Sequence, residues 1–271
     1  MDMTRAPGTL DPVSLSGRGR DVVTGGDGTG RVHRTAGLSA TVEMMTRVVR
    51  AIETDPPVAA AARLVGAPAM SGFRAAADAA IPELRAGRDL LYTLLDDVPG
   101  CTLISGHALG ASGELDAVRT GYLPTADQCA GFVTGGLLMS SFQAGEPVNA
   151  TGPDAPDLTD AADPLAWHET GDLPVHGMRR ARRIDVAAVP GGQDVAVDAM
   201  FRDTYVRADG VVTILHEYTL AVTVERASGV IRSSCATPRV LPWQECPGAV
   251  RSAARITPSR STDLRASGCS R

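Results

Sequence analysis

The chain has 271 residues, a formal net charge of −5 and 44% hydrophobic residues, which is the balance of a globular protein with a substantial core. This composition excludes an intrinsically disordered chain, and the acidic balance argues against a protein that grips nucleic-acid phosphates. All 26 basic residues are Arg. Because the chain lacks Lys, it cannot form a Schiff base, anchor pyridoxal phosphate through an amine or supply the lysine of a P-loop.

Targeting and cysteine patterns predict a cytoplasmic protein that does not interact with membranes. The first ten residues carry no apolar run of the kind found in a secretory signal. No segment approaches the roughly 18 apolar residues that span a bilayer. The five cysteines are odd in number and widely spaced, without a Cys-x-x-Cys pair. This pattern favours reduced thiols over a disulfide framework.

The first half of the chain predicts a β-hairpin followed by helices. Two β runs, Val13–Val23 and Val32–Val49, flank the turn residues 25–28. The second run is long for one strand, so a bulge is expected near 44–45. Helical spacing and capping residues then predict three helices, two of them limited by proline: Gly72–Leu84, Leu90–Val98 and Ala126–Phe142.

We divide the chain into three segments. Residues 1–143 hold the N-terminal hairpin and helices, residues 144–178 form a strap rich in Pro, Gly and Asp, and residues 179–271 form the C-terminal meander with a terminal helix. The expected fold is α+β, in one compact unit: an antiparallel β meander (182–240) plus the N-terminal β-hairpin, with the helical middle segment packing on the sheet. Four arginines cluster where the meander begins, and they could bind an anion. The favoured alternative is that they lie in solvent at the start of a strand: Arg179, Arg180, Arg182 and Arg183.

The strongest pattern lies in residues 182–240, where three glycine-containing turns separate four β runs. The turns are Gly191-Gly192, Asp209-Gly210 and Ser228-Gly229, each typical of a two-residue hairpin loop. Two-residue loops fix the register, and apolar residues then meet apolar residues on one face of the sheet. The other face is expected to lie in water and carries Asp185, Asp198, Arg202, Thr213, Glu217, Thr219 and Thr223.

This register places a polar pair on the apolar face. Asp203 lies opposite His216, with Tyr218 two residues further along the strand. A half-buried carboxylate orients an imidazole and supports its action as a general base. A buried polar pair that only satisfies its own hydrogen bonds explains the same contact. The third hairpin adds four polar side chains to this face, the last of them opposite Tyr218: Ser233, Cys235, Thr237 and Arg239.

The strap contributes two further candidates, Trp167 and His168. A loop with a titrating side chain can close over a ligand, and the alternative is that Trp167 packs on the core and anchors its neighbour. Zinc binding through His168, His216 and a cysteine (Cys235 or Cys246) has no local motif to support it. No nucleotide-binding glycine motif is present either. We therefore expect no metal and no cofactor.

Five motifs stand out by their order and spacing: Leu95–Pro99, Asp163–His168, Met178–Arg180, His216–Tyr218 and Pro238–Pro247. With them the chain resembles, over most of its length, the uncharacterised bacterial family called domain of unknown function 2889. The resemblance implies a compact bacterial cytoplasmic protein associated with small-molecule catabolic or biosynthetic enzymes, and it supplies no catalytic residues. Members usually end in Cys-Thr-His-Leu, whereas this chain ends at Ser267–Arg271 without that His.

These observations predict a cofactor-independent enzyme that applies general acid–base chemistry to a small, largely apolar carbonyl compound, as an isomerase, lyase or hydrolase. His216 is the expected base, Asp203 its orienting group, and Tyr218 with Arg239 would polarise the carbonyl. The alternative is a non-catalytic metabolite-binding or accessory protein. The expected partner is a small hydrophobic metabolite, with no nucleic acid and no membrane, and a homodimer is compatible with the sequence. Substrate contacts are expected from Ser233, Cys235, Thr237, Arg239, Trp167 and His168.

Overall fold

The computed structural model describes residues 1–10, 12–114, 124–146 and 148–264. Within these residues the chain divides into two units, each assembled from segments that are distant in sequence. Unit 1 contains the described residues of Met1–Thr120, Pro156–Arg180 and Tyr205–Val212. Unit 2 contains those of Gly121–Ala155, Ala181–Thr204 and Thr213–Arg271.

Unit 1 holds four complete strands and the start of a fifth: β1 (Asp2–Thr4), β2 (Val13–Thr24), β3 (Gly30–Glu43), β4 (Val48–Asp55) and β5 (Met178–Ala188). They pair antiparallel in the order β4-β3-β2-β1-β5. The predicted N-terminal hairpin is confirmed, since β2 and β3 pair along their length. The predicted bulge near 44–45 is wrong. Residues 44–47 form a turn that separates β3 from β4, and Arg47 adopts a φ of 56° there.

Helices occupy the middle segment of unit 1: a 3₁₀ helix (Ala59–Leu64), α1 (Phe73–Ala80), α2 (Pro82–Ala86), α3 (Leu90–Ile104) and α4 (Gly106–Ala111). The expected break at Pro82 is confirmed, because α1 ends before this residue and α2 begins on it. Proline is accepted at the first position of a helix, where its missing N–H would have no partner. α3 packs on β2 and β3, as the α+β prediction requires.

The start of α3 is confirmed and its predicted end is wrong. The Asp89 carboxylate caps the helix by accepting a hydrogen bond from the Leu91 N–H at 2.8 Å. The helix then continues through Pro99, although proline removes one backbone hydrogen bond. Val98 and Cys101 on either side are fully buried. Their packing outweighs the loss of that hydrogen bond, which the local sequence could not reveal.

β2 alternates between two different faces. Gly17 and Gly19 face α3, and a Cβ at Gly19 would lie only 3.4 Å from the Leu90 side chain. The Leu90 side chain of α3 therefore packs over this part of the strand. Arg18 is exposed and Arg20 is half-buried, on the opposite face of the strand. The outer face of β2 is thus basic while its inner face is small and apolar.

Unit 2 holds the remainder of the meander: β5 from Ala181, β6 (Asp194–Val206) as far as Thr204, β7 (Val212–Glu225) from Thr213, and β8 (Ile231–Val240). Their order is β5-β6-β7-β8, so the predicted antiparallel meander and α+β class are confirmed. The helices of this unit are two 3₁₀ helices (Ala130–Phe132 and Cys246–Ile256) and α5 (Leu137–Ala144). The single helix predicted over 126–142 is wrong. Gly135 has a φ of +75° and interrupts it, as the left-handed conformation is accessible to glycine.

The hairpin loops of the meander are longer than the predicted two residues. Between β5 and β6 the Val189 N–H donates to the Asp194 carbonyl at 3.0 Å, which closes a four-residue loop and keeps the predicted pairing. Between β7 and β8 the Glu225 N–H donates to the Val230 carbonyl at 2.8 Å and closes another four-residue loop. The loop between β6 and β7 spans three residues, with Gly210 in the left-handed region.

The longer β7–β8 loop changes which residues share a face. Together with bulges at both ends of this strand pair, it shifts the pairing by one residue, so that Tyr218 lies opposite Pro238 and Ala221 opposite Cys235. A one-residue shift turns every side chain to the other face. Arg239 accordingly donates to the Thr219 hydroxyl at 3.3 Å and does not face Tyr218. The predicted placement beside His216 and Tyr218 is therefore wrong for Ser233, Cys235, Thr237 and Arg239.

Burial in unit 2 also departs from the predicted two-faced pattern. Ile184 and Val186 are 55% and 67% exposed, although they were expected on the covered face. Conversely, Arg202 and Thr213 are buried, although their face was expected to lie in water. Thr213 is covered because Asp154 pairs with it along the edge of β7. Such long-range coverage cannot be read from strand alternation.

Candidate functional site

The acid–imidazole pair predicted for the meander is present in unit 2. His216 Nδ1 lies 3.2 Å from Asp203 Oδ2, on the neighbouring strands β7 and β6. The Asp203 side chain is fully buried, whereas that of His216 is 23% exposed. The two atoms are close enough for an ion pair, but they are not aligned for a hydrogen bond. The carboxylate therefore faces Nδ1, and the other ring nitrogen, Nε2, is not used in this contact.

An aromatic pair lies beside the acid–imidazole pair. The rings of Phe201 and Tyr218 stack with their centroids 5.4 Å apart and an angle of 29° between planes. Because alternate residues of a strand share a face, this stack lies on the same side of β6 and β7 as Asp203 and His216. The stack therefore adds apolar surface to the face of the sheet that carries the imidazole.

The hydroxyl of Tyr218 is engaged with the backbone. It donates to the Cys246 carbonyl oxygen at 3.2 Å. Burial raises the pKa of Tyr218 to about 12, and the neighbouring thiols of Cys246 and Cys129 act in the same direction. The phenol is therefore protonated over the physiological range. Its hydrogen is committed to a carbonyl of the protein, which fixes the ring as a wall of the site.

The opposite face of the same two strands carries an ion pair. Arg202 Nε bonds the Glu217 carboxylate, and both side chains are largely buried. Strand alternation had predicted that Arg202 lies in water. The ion pair with Glu217 explains why the arginine is buried instead. With Phe201–Tyr218 and Asp203–His216, it gives three successive cross-strand contacts that have the predicted register. The pairing of β6 with β7 thus fixes the position of Asp203 relative to His216.

Two further sequence candidates, Trp167 and His168, lie in unit 1. The backbone carbonyl of Trp167 accepts a hydrogen bond from Arg20 at 2.6 Å. The pKa of His168 is lowered, first by burial and then by the positive charges of Arg20, Arg18 and the amino terminus. The strap residues are thus held against the basic face of β2.

A histidine–tyrosine cluster in unit 1 was missed by sequence reasoning. His176 Nδ1 lies 2.6 Å from the Tyr205 hydroxyl, and the His107 ring contacts the edge of the same tyrosine with centroids 4.8 Å apart. The pKa of Tyr205 is raised, mainly by burial. The positive charge of Arg5 opposes this shift and the negative charge of Glu114 adds to it. Since the three residues are far apart in the sequence and belong to different elements, no motif links them.

A small cavity lies against this cluster. Its volume is about 10 Å³, enough for about one water molecule, and its walls include Met44, Ser105, His176 and Met178. The cavity is too small for a metabolite. None of Asp203, His216 and Tyr218 lines it.

Within the described residues, no group of three or more His, Cys, Asp or Glu side chains is placed to hold a metal ion. The zinc alternative through His168, His216 and a cysteine therefore finds no such ligand group in this part of the chain. In the same ranges, no helix combines the length and the apolar character needed to cross a membrane.

Comparison with known proteins gives one family match. Residues 178–266 match the model of a family described as "Protein of unknown function (DUF2889)". The match contains the acid–imidazole pair and confirms, over these residues, the family resemblance seen in the sequence. The motifs at Leu95–Pro99 and Asp163–His168 precede the matched segment. No curated protein and no solved structure matches the chain.

Proposed function

We propose an acid–base catalytic function for this chain, whose residues 178–266 match the family of proteins of unknown function DUF2889. In this proposal the protein is a cofactor-independent enzyme of the isomerase, lyase or hydrolase type. Its substrate is a small, largely apolar carbonyl compound, and His216 is the general base. The observation that carries the proposal is a fully buried carboxylate held 3.2 Å from a partly exposed imidazole.

In this proposal the two nitrogens of the His216 ring have different tasks. A carboxylate facing Nδ1 favours the tautomer with hydrogen on Nδ1, which leaves the lone pair on Nε2 free to accept a proton. The present contact lacks hydrogen-bond alignment, and catalytic hydrogen bonds commonly tighten only when substrate is bound. Asp203 is therefore a positioning residue, which also stabilises the imidazolium that forms.

The chemical step common to the three reaction types is the transfer of a proton to His216. A proton next to a carbonyl group, or on an attacking water, moves to Nε2 while negative charge develops on the substrate. The proton then returns from the imidazolium to a different atom of the substrate or to a leaving group. The stacked rings of Phe201 and Tyr218 favour an apolar substrate body beside the imidazole.

The odd number and wide spacing of the five cysteines favour reduced thiols and support a cytoplasmic location, and the proposed bacterial origin is the one that the family resemblance implies. A small hydrophobic metabolite from a catabolic or biosynthetic route is the proposed partner, and homodimer formation stays a prediction.

A second candidate function is a non-catalytic binding or accessory protein. Ile184 and Val186 favour it, because both apolar side chains are more than half exposed on the β5–β6 hairpin. Exposed apolar surface of this kind often marks a contact with a partner protein.

Hydrogen–deuterium exchange into a panel of small ketones and aldehydes tests the catalytic proposal, because a general base that removes a proton next to a carbonyl labels the substrate in D₂O. We expect the wild-type protein to label at least one compound, and His216→Gln to lower that rate by about 10²–10⁴-fold. His33→Gln, at an exposed position of β3, is the matched control and should retain the rate. Equal labelling by wild type and His216→Gln would refute the assignment.

A further inference from the structure

A second group of polar side chains lies in unit 1, on the outer face of β2. Arg18 and Arg20 are two residues apart on this strand, so their side chains leave the same face about 7 Å apart along it. The intervening Gly19 faces α3 instead. The sheet therefore presents two guanidinium groups side by side.

The strap binds both guanidinium groups through neutral atoms. Arg18 Nη2 donates to the Glu169 carbonyl at 2.8 Å, and Arg20 Nη2 donates to the carbonyls of Leu165 and Trp167 at 2.8 and 2.6 Å. Within the described ranges, no carboxylate lies at ion-pair distance from either arginine. The Nε and Nη1 donors of both groups also have no hydrogen-bond acceptor in this part of the chain.

Two other arginines of unit 1, Arg179 and Arg34, differ in this respect. Arg179, one of the four clustered arginines of the sequence analysis, forms two hydrogen bonds with the Asp2 carboxylate at 2.6 and 2.9 Å. Asp21, the residue after Arg20, bonds Arg34 at 2.8 Å. The acid nearest in sequence to Arg20 is therefore already neutralised by another arginine. Among the residues that the structure describes, no carboxylate at ion-pair distance balances the positive charge of Arg18 and Arg20.

His168 supplies a third group at the same place. The His168 ring is half-buried. Burial first, and then the positive charges of Arg20 and Arg18, hold the pKa of this imidazole below its ordinary value. The imidazole is therefore neutral at neutral pH and can donate one N–H without adding charge. No hydrogen-bond partner for this ring is found among the described residues.

We infer that Arg18, Arg20 and His168 form a binding site for an oxyanion, the phosphate or carboxylate group of a small molecule. Guanidinium groups bind such anions through paired N–H donors, and two adjacent groups balance the charge of a phosphate. An anion bound here would join β2 to the strap. The inference concerns unit 1 and does not depend on the acid–base activity proposed for unit 2.

The purely mechanical explanation is that the two arginines only hold the strap in place. Carbonyl contacts account for one nitrogen of each guanidinium group, and the described residues supply no acceptor for the other donors. These carbonyl contacts also give no role to the neutral imidazole of His168, which lies beside the two positive charges. The two explanations differ in whether added anion binds, so titration separates them.

The experiment follows the His168 ring signals by NMR in the full-length protein while inorganic phosphate is added, and separately while acetate is added, at constant ionic strength. His168→Asn assigns the signals. We expect a saturable shift with at least one anion. A response to phosphate alone indicates a phosphate ligand, and a response to acetate indicates a carboxylate ligand. In Arg18→Gln the affinity should fall by about tenfold or more, as expected on loss of a charged hydrogen-bond donor.

Matched variants keep the result interpretable. Arg63→Gln removes an exposed guanidinium from the 3₁₀ helix Ala59–Leu64, which packs on β4 and α1, and should leave anion affinity unchanged. Arg18 makes one carbonyl contact, so its substitution should preserve the fold, which circular dichroism checks. Arg20→Gln provides a second test in a protein whose folding is verified in the same way. The inference is overturned if neither anion gives a saturable shift, or if Arg18→Gln and wild type respond equally.

Discussion

The imidazole of His216 lies 3.2 Å from the carboxylate of Asp203, and that carboxylate has no contact with solvent. A charge in this position needs a partner, because isolated buried carboxylates are strongly disfavoured. His216 is the partner that remains partly exposed, so it can exchange a proton with a molecule outside the core. This asymmetry separates the pair from a fully buried polar contact and motivates the catalytic proposal.

The first prediction concerns the orienting carboxylate. Asp203→Asn keeps the size of the side chain and removes its charge, so the imidazolium formed during proton transfer loses its stabilisation. We expect the deuterium exchange rate of a responsive carbonyl compound to fall by about 10²–10⁴-fold. Circular dichroism and a urea titration establish that the variant is folded. Retention of the wild-type rate in folded Asp203→Asn would show that the carboxylate has only a structural role.

The second prediction concerns the ion pair on the opposite face. Removing one partner of a largely buried pair leaves an unbalanced charge, so Arg202→Met should lower the free energy of unfolding by about 3 kcal/mol. The double variant Arg202→Met/Glu217→Leu removes both charges and should regain most of that loss. Urea unfolding of the wild type, both single variants and the double variant measures the coupling. Additive losses in the double variant would mean that the two side chains do not stabilise each other.

The third prediction is a loss of stability at high pH that depends on Tyr218. An unfolded tyrosine ionises near its ordinary pKa of 10, whereas the folded pKa of Tyr218 is about 12. The folded state holds this proton more tightly. Its contribution is therefore fully present below pH 10 and is lost as pH rises from 10 towards 12.

Tyr218→Phe should flatten this part of the stability profile, and urea midpoints between pH 9 and pH 11 measure it. Tyr205→Phe should change the profile in the same direction, because the pKa of that buried tyrosine is raised as well. If Tyr218→Phe leaves the slope of the wild type unchanged, the Tyr218 hydroxyl is not buried as described.

The fourth prediction tests the observed β7–β8 register through thiol reactivity. Cys235 lies on the exposed face of β8, whereas Cys246 is buried and burial raises the pKa of its thiol. Alkylation by iodoacetamide at pH 8 should therefore modify Cys235 well before Cys246, because the thiolate is the reactive form. Peptide mass spectrometry in a Cys269→Ser background gives the order. Slow modification of Cys235 would favour the register in which this residue faces the interior.

The sequence predicted the Asp203–His216 contact because alternation and a short β6–β7 loop are local signals. The same reasoning failed for Cys235 and Arg239. Their faces depend on a four-residue loop and on bulges that the strands adopt when they pair. Pro99 misled the helix prediction in a similar way, since burial of neighbouring residues decided the outcome. His107, His176 and Tyr205 meet only in the folded chain, so no spacing in the sequence could bring them together.

The most direct test of the central claim is the tautomer of His216, read from the ¹⁵N chemical shifts of its ring at a pH where the ring is neutral. The account predicts hydrogen on Nδ1, towards Asp203, and an unprotonated Nε2. Asp203→Asn should shift the population towards the tautomer with hydrogen on Nε2. A wild-type ring with hydrogen on Nε2 would contradict the account, since its lone pair would then face the carboxylate and no base would be available to a substrate.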